Sequence, residues 1–128
     1  MDKDGWIGVD LDGTLAEFHG WINMLHIGDP IPEMVERVRV WLDQGVDVRI
    51  FTARVDHGAI ALSMGNESVE LAVAVERIRN TIQDWTELHL GMRLPVTNVK
   101  DFKMIELWDD RAVRVLFNKG CPCCEHSR

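Results

Sequence analysis

At 128 residues, 46% of them hydrophobic and 27% charged, the chain has the size and composition of one globular domain with a single core. A formal net charge of −7 and a pI near 5.1 argue against a protein whose main task is gripping a nucleic-acid backbone, which needs clustered Lys and Arg. No apolar run approaches the roughly 20 residues of a membrane span, and Met1–Gly5 lacks the basic and apolar regions of a secretory signal, so a cytoplasmic home with no membrane partner is expected.

The first predicted element is Ile7-Gly8-Val9, a short apolar run of buried-strand type that leads into Asp10-Leu11-Asp12-Gly13-Thr14. Two carboxylates at the end of a buried strand raise each other's pKa. A hard cation removes that cost, and oxygen ligands of this kind suit Mg²⁺. Such a cation also keeps a phosphorylated substrate compatible with an acidic chain, because it inverts the local field.

Ala16 to Pro32 follows without a sustained period, carrying Phe18, Trp21, Met24, Leu25 and Ile27 beside His19 and His26. Loops of this length in compact domains usually have a task. Two readings stand together: a flap over the acidic site, or a loop tucked onto the core to bury its apolar side chains. Pro32 suits the first turn of a helix. Met34, Val35, Val38, Trp41 and Leu42 then recur at helical spacing, and Gly45 supplies the stop.

Val46 to Phe51 alternates as a strand that ends at Thr52-Ala53-Arg54. Strand, helix, strand in this order predicts a parallel pair with a right-handed crossover. Val55 to Glu67 reads as a loop with a turn of helix, after which Ser68 is placed to cap a long helix. Leu71, Val75, Ile78, Ile82, Trp85 and Leu88 form its apolar stripe, and Gly91 ends it. A short strand is predicted over Leu94–Asn98, one turn of helix over Asp101–Met104, a strand over Ile105–Trp108 ending at Asp109-Asp110, and a last strand over Val113–Phe117. The pattern predicts an α/β fold: a three-layer sandwich with a mostly parallel, Rossmann-like sheet of about five strands.

Cys121, Cys123 and Cys124 all fall in the last eight residues, which fits a reducing compartment. Residues 121–128 are expected to form a mobile tail beyond a catalytic domain of residues 1–120. The tail has soft-metal ligand types, with His126 beside the thiols, but so short a run supplies a closed zinc site poorly by itself.

The strand ends carry, in order, Asp10 and Asp12, then Thr52, then Lys100, then Asp109 and Asp110. In open α/β sheets the ligand crevice lies at the carboxyl ends of the strands, so these groups are expected to converge. Arg54, His57, His19 and Trp21 sit on loops beside those ends, and Arg54 is the best placed to hold a leaving group, because its fork matches phosphate or carboxylate.

Val9-Asp10-Leu11-Asp12-Gly13-Thr14-Leu15 matches, as it stands, the first motif (hhhDxDGT) of the haloacid dehalogenase superfamily. Thr52 after Ile50-Phe51 matches the second, Lys100 the third, and Leu107-Trp108-Asp109-Asp110 the fourth. The chain therefore resembles a small, capless member of that superfamily from about residue 6 to 117. The resemblance implies a Mg²⁺-dependent phosphatase that works through an aspartyl-phosphate on Asp10. Asp12 would be its general acid and base, and Thr52 and neighbouring backbone N–H groups, Gly13 among them, would hold phosphoryl oxygens.

Lys100 would balance the phosphoryl charge, with Lys103 as the alternative. Metal would be held by Asp10, the backbone of Asp12 and one of the second pair, Asp110 in contact and Asp109 behind it or the reverse. The substrate stays open between a small phosphorylated metabolite and a terminal phosphate on a nucleic acid. The rival reading on the same fold is a regulatory domain that accepts or binds a phosphoryl group without turnover. In receiver domains, however, the acidic pair and the phosphorylated Asp fall on different strands from those here.

Overall fold

The computed structural model describes residues 4–64 and 68–123. The elements run β1 (Trp6–Val9), α1 (Pro32–Asp43), β2 (Asp47–Phe51), a single 3₁₀ turn (Ala53–Val55), α2 (His57–Met64), α3 (Ser68–Leu90), β3 (Val96–Thr97) and β4 (Met104–Trp108). The four strands form one sheet in the order β3-β2-β1-β4, and every neighbouring pair is parallel. All carboxyl ends therefore lie on one side of the molecule.

Why these residues make these elements follows from their periods. Ile7 and Val9 of β1 alternate with Trp6 and Gly8, and Val48 and Ile50 of β2 stand in register with Ile7 and Val9. Those four side chains join one buried cluster with Met34 and Val38 of α1, Ile60 of α2, and Val75, Ile78, Ile82 and Trp85 of α3. Burying each large aliphatic side chain in such a cluster stabilises the fold by about 1.5–3 kcal/mol. Proline opens α1 at its first position, and beyond its end Gly45 takes φ 79°, the left-handed conformation that side chains avoid.

Among the described residues the three helices pack into one buried cluster on the sheet, as in a Rossmann-like sandwich, and the third layer that the sequence predicts is not seen there. The reason is topological. The chain steps outward in the same direction from β1 to β2 to β3, and two right-handed crossovers in one direction put α1 and α3 on the same side.

The return from β3 to β4 is made by residues 98–103, without a helix. This segment covers the other face: Trp6 Nε1 donates to Asp101 Oδ1 at 2.8 Å, and the Arg49 guanidinium stacks 4.7 Å from the centre of the Trp6 ring. Trp6 is left only 1% exposed.

Several expectations need correction. The described sheet has four strands, not five: Val113–Phe117 is not one of them. That segment turns back on itself through Asn118 and Gly120, both at positive φ, and makes a single bridge, Val115 to Pro122. The loop expected over 55–67 instead contains the eight-residue helix α2, and the turn of helix expected at Asp101–Met104 is a simple turn closed by Met104 N–H donating to the Asp101 carbonyl.

In α3 the stripe holds through Trp85, but Leu88 is 76% exposed. From Leu71 to Trp85 the four steps alternate 4, 3, 4, 3 and keep phase with the 3.6-residue turn, whereas a second consecutive step of 3 rotates Leu88 off the face. Leu90 closes the core there. No helix among the described residues is long and apolar enough to cross a membrane. The capping role expected of Ser68, and Cys124 and His126, lie outside the described side chains; Cys121 and Cys123 are exposed free thiols.

Candidate functional site

The strand order reverses at β1, whose neighbours are β2 on one side and β4 on the other. The chain bends away there, and that is where an open parallel sheet leaves a crevice. A cavity of about 570 Å³ opens at this point, walled by groups that follow β1 (Asp10, Asp12, Gly13), β2 (Thr52, Arg54) and β4 (Asp109, Asp110, Arg111), and by Phe18, Trp21 and Met24 of the long loop.

Asp10 extends the β1 ladder, its N–H donating to the Trp108 carbonyl at 2.9 Å, so its position relative to the end of β4 is fixed by backbone. Carboxylate oxygens of Asp10, Asp109 and Asp110 lie within 4.8 Å of one another. Thr14 ties two of them together: its Oγ1 lies 3.4 Å from Asp10 Oδ2 and 3.2 Å from Asp110 Oδ1, and accepts from the Asp110 N–H at 3.0 Å. Asp109 turns one oxygen to the N–H of Arg111.

The cost of this crowding shows in Asp10. Its pKa is pushed from 3.8 up to about 7, first by burial, then by the charge on Asp109, a hydrogen bond with Asp110, and the charges of Asp110 and Asp12. Hard carboxylate oxygens, grouped closely and short of positive charge, are the donor set a divalent cation such as Mg²⁺ takes.

Gly13 makes the grouping sterically feasible. It sits at φ 86°, and a Cβ there would stand 2.9 Å from Asp110 Oδ2. The turn around it closes through Gly13 N–H to the Ala16 carbonyl and Leu15 and Ala16 N–H to the Leu11 carbonyl.

Asp12 is not in the acidic group. Its carboxylate is held by Arg54, whose Nε donates to Oδ2 at 2.8 Å and Nη2 to Oδ1 at 2.7 Å. Arg54 is only 6% exposed, donates through Nη1 to the Met24 carbonyl, and lies over the Trp21 ring at 5.3 Å. Thr52, also buried, extends the β2 ladder by donating its N–H to the Thr97 carbonyl, and its Oγ1 accepts from the Arg54 N–H, starting the 3₁₀ turn that aims Arg54 inward.

The structure thus brings together Asp10, Asp12, Gly13, Thr52, Arg54, Asp109 and Asp110. It does not bring in either lysine. Lys100 is exposed on the segment crossing to β4, away from the cavity wall, and Lys103 accepts from the Trp6 N–H with its carbonyl, at the amino end of β1. His19 pairs with Glu17 at the surface, and neither it nor His57 lines the cavity.

Sequence reasoning missed Thr14 and Arg111 as site residues. Thr14 completes the Asp-Gly-Thr run that was itself the signal, whereas Arg111 follows the second acidic pair with nothing local to mark it. The long loop is tucked onto the core, as one of its two readings expects, and it also contributes to the cavity wall. Met24, Leu25 and Ile27 pack against the core, while Phe18 and Trp21 stand at the cavity.

No family model matches the chain, and no curated protein matches it. Among solved structures, a conserved protein from Bacteroides thetaiotaomicron is similar, with 21% identity over 85% of this chain and 78% of that one at a TM-score of 0.45, a likeness too weak to carry an argument.

Proposed function

We propose that the chain is a capless phosphatase of the haloacid dehalogenase type, hydrolysing phosphomonoesters with the help of Mg²⁺. The observation that carries this reading is the separation of two carboxylates on one strand end. Asp10 stands with Asp109 and Asp110, while Asp12, two residues on, is paired with Arg54. Two neighbouring acids in different surroundings suit different tasks.

Asp10, Asp109, Asp110 and the backbone carbonyl of Asp12 would hold the cation, which supplies charge neutralisation so that one anion can approach another. Asp10 attacks phosphorus as the bond to the leaving oxygen breaks, and Asp12, which must first take up a proton and give up one of its two Arg54 hydrogen bonds, hands that proton to the oxygen. Water then attacks phosphorus, Asp12 takes its proton, and inorganic phosphate leaves with the Asp10 carboxylate restored. The Thr52 hydroxyl binds a phosphoryl oxygen, whereas the Gly13 N–H, expected to share that task, is already given to the Ala16 carbonyl. Arg111, at the cavity wall, balances their charge in the role the sequence gives to Lys100.

The test is phosphate release from a panel of phosphomonoesters, aliphatic and aromatic. Release that needs Mg²⁺, stops with EDTA and is abolished in Asp10→Asn supports the reading. A stable aspartyl-phosphate without release would favour the regulatory domain instead, and full activity in Asp10→Asn would sink the assignment.

A further inference from the structure

The cavity has more wall than a phosphoryl group needs, and the surplus is aromatic. Trp21 and Phe18 are 56% and 46% exposed, yet both belong to the long loop between β1 and α1 and both line the same cavity as Asp10, Asp12 and Thr52. Exposed large apolar side chains grouped at a cavity mark a place where something apolar is bound. Met24 and Phe51 line the same cavity beside these two rings.

The rings are carried on a loop that is tied down. Its neck is closed by the Glu17 N–H donating to the Asp29 carbonyl at 2.8 Å. Its far side is held by Arg54 Nη1 on the Met24 carbonyl at 2.9 Å, and its return by Trp85 Nε1 on the Gly28 carbonyl at 3.1 Å. Gly28 lets the return strand pass close to the neck, since a Cβ there would meet the Glu17 carbonyl oxygen. The Trp21 ring has the Arg54 guanidinium 5.3 Å from its centre, so a buried and doubly hydrogen-bonded group sets its place. A platform ordered before the ligand arrives spares the ligand that ordering cost.

We propose that Trp21, with Phe18, stacks on the leaving group, and that the substrates are phosphomonoesters whose leaving group carries a planar aromatic ring. This rests on the phosphatase reading above. The shared chemistry is a flat π-face joined to a phosphate, whether from a nucleobase or from a simple arene. A polyol leaving group fits the wall badly, because its hydroxyls would lose water without gaining partners along Phe18, Trp21, Met24 and Phe51. The volume of about 570 Å³ lies within the usual range for small-molecule sites. Phosphoryl transfer itself is unchanged; the leaving oxygen departs with the proton of Asp12 and its ring along the aromatic wall.

The experiment compares pairs of esters with alike leaving oxygens. A nucleoside 5′-monophosphate is set against ribose 5-phosphate, and benzyl phosphate against cyclohexylmethyl phosphate. In the wild type at least one aromatic member should exceed its partner in kcat/KM by about 10-fold or more, the size expected of one ring stacked on one aromatic side chain. The pair with the larger ratio tells whether a nucleobase or a simple arene is preferred. Trp21→Ala should bring the ratio close to one and Trp21→Phe should keep much of it, with Phe18→Ala reducing it by a smaller factor.

Ratios near one in the wild type, or a ratio unmoved by Trp21→Ala, overturn the aromatic assignment while leaving the phosphatase standing. Absence of release from all four esters overturns both.

Discussion

Arg54 and Asp12 are joined side to side by two hydrogen bonds, 2.8 and 2.7 Å long, across 42 residues of sequence. The same guanidinium reaches the Met24 carbonyl and lies over Trp21, so one buried cation links the Asp12 carboxylate to the loop that walls the cavity. Its planar fork does this; a lysine offers one point charge and cannot match two carboxylate oxygens while holding a third acceptor. Arg54→Lys should therefore keep the fold but lower kcat by on the order of 10-fold to 100-fold through misplacement of Asp12. Arg54→Ala should in addition cost about 2–3 kcal/mol of stability in a denaturant titration, since it leaves Asp12 partly buried without its partner. Wild-type kcat in Arg54→Lys would show that Asp12 is positioned by other groups.

Asp10 predicts a pH dependence with a definite sign. Unfolded, its carboxyl loses its proton near 3.8; folded, it keeps it to about 7. Between those values the folded state binds more protons, so the contribution of this group to stability is full at low pH and is lost as pH rises through the window. With metal chelated, Asp10→Asn, which carries no such charge, should melt above wild type at about pH 8 and lose that advantage by about pH 4. Mg²⁺ at the higher pH should raise the wild-type Tm and leave Asp10→Asn nearly unmoved, because a ligand stabilises only the state that binds it. Equal Mg²⁺ shifts in the two proteins would place the cation elsewhere.

How much of this was legible in the sequence depends on the range of the forces involved. Period-2 and period-3.6 patterns are local, and they correctly mark β1, α1, β2 and most of α3. The strand-end acids were legible for the same reason, since Asp10, Asp12, Asp109 and Asp110 directly follow apolar runs whose ends parallel pairing brings together.

What failed was long-range. The apolar spacing of Val113–Phe117 looks like a strand, but the segment does not add to the free edge of β4; it turns back and bridges to Pro122 instead. The missing third layer follows from the order β3-β2-β1-β4, which no window of residues encodes. Lys100 was chosen because it comes just after a strand, yet the chain there must cross the whole sheet to reach β4 and leaves the site as it does so. Arg54 was seen as a ligand for substrate; its pairing with Asp12 spans elements and has no local signature.

Gly13 offers a test of how tightly the acidic group depends on the backbone turn. Alanine there must take φ 86° and place a Cβ 2.9 Å from Asp110 Oδ2. The conformation alone costs roughly 1–2 kcal/mol, and the carboxylate must move as well. Gly13→Ala should lower the thermal midpoint and raise the Mg²⁺ concentration needed for half-maximal activity, with the KM for substrate at saturating Mg²⁺ changed less. An unaltered Mg²⁺ requirement would mean that Asp110 does not help hold the cation.

The last prediction separates two cations. Arg111 lies on the cavity wall beside Asp109 and Asp110, and its backbone N–H is fixed by Asp109 Oδ1 at 2.8 Å. Lys100 is exposed on the crossing segment, between Asn98, which donates to Asp56 near the carboxyl ends, and Asp101, which accepts from Trp6 near the amino end of β1. A dianionic phosphoryl group approaching three carboxylates and a single cation needs further positive charge close by, and Coulomb attraction falls off quickly with distance and screening. Arg111→Ala should therefore raise KM by about 10-fold, the worth of one charge-assisted hydrogen bond to a phosphoryl oxygen, and should make activity less sensitive to added salt. Lys100→Ala should change neither by more than about twofold, as surface charges far from a site usually do. The opposite pattern, with Lys100→Ala crippling and Arg111→Ala silent, would require the segment 98–103 to swing toward the carboxyl ends of the strands when substrate binds, and would return the charge-balancing role to the lysine that the motif spacing first indicated.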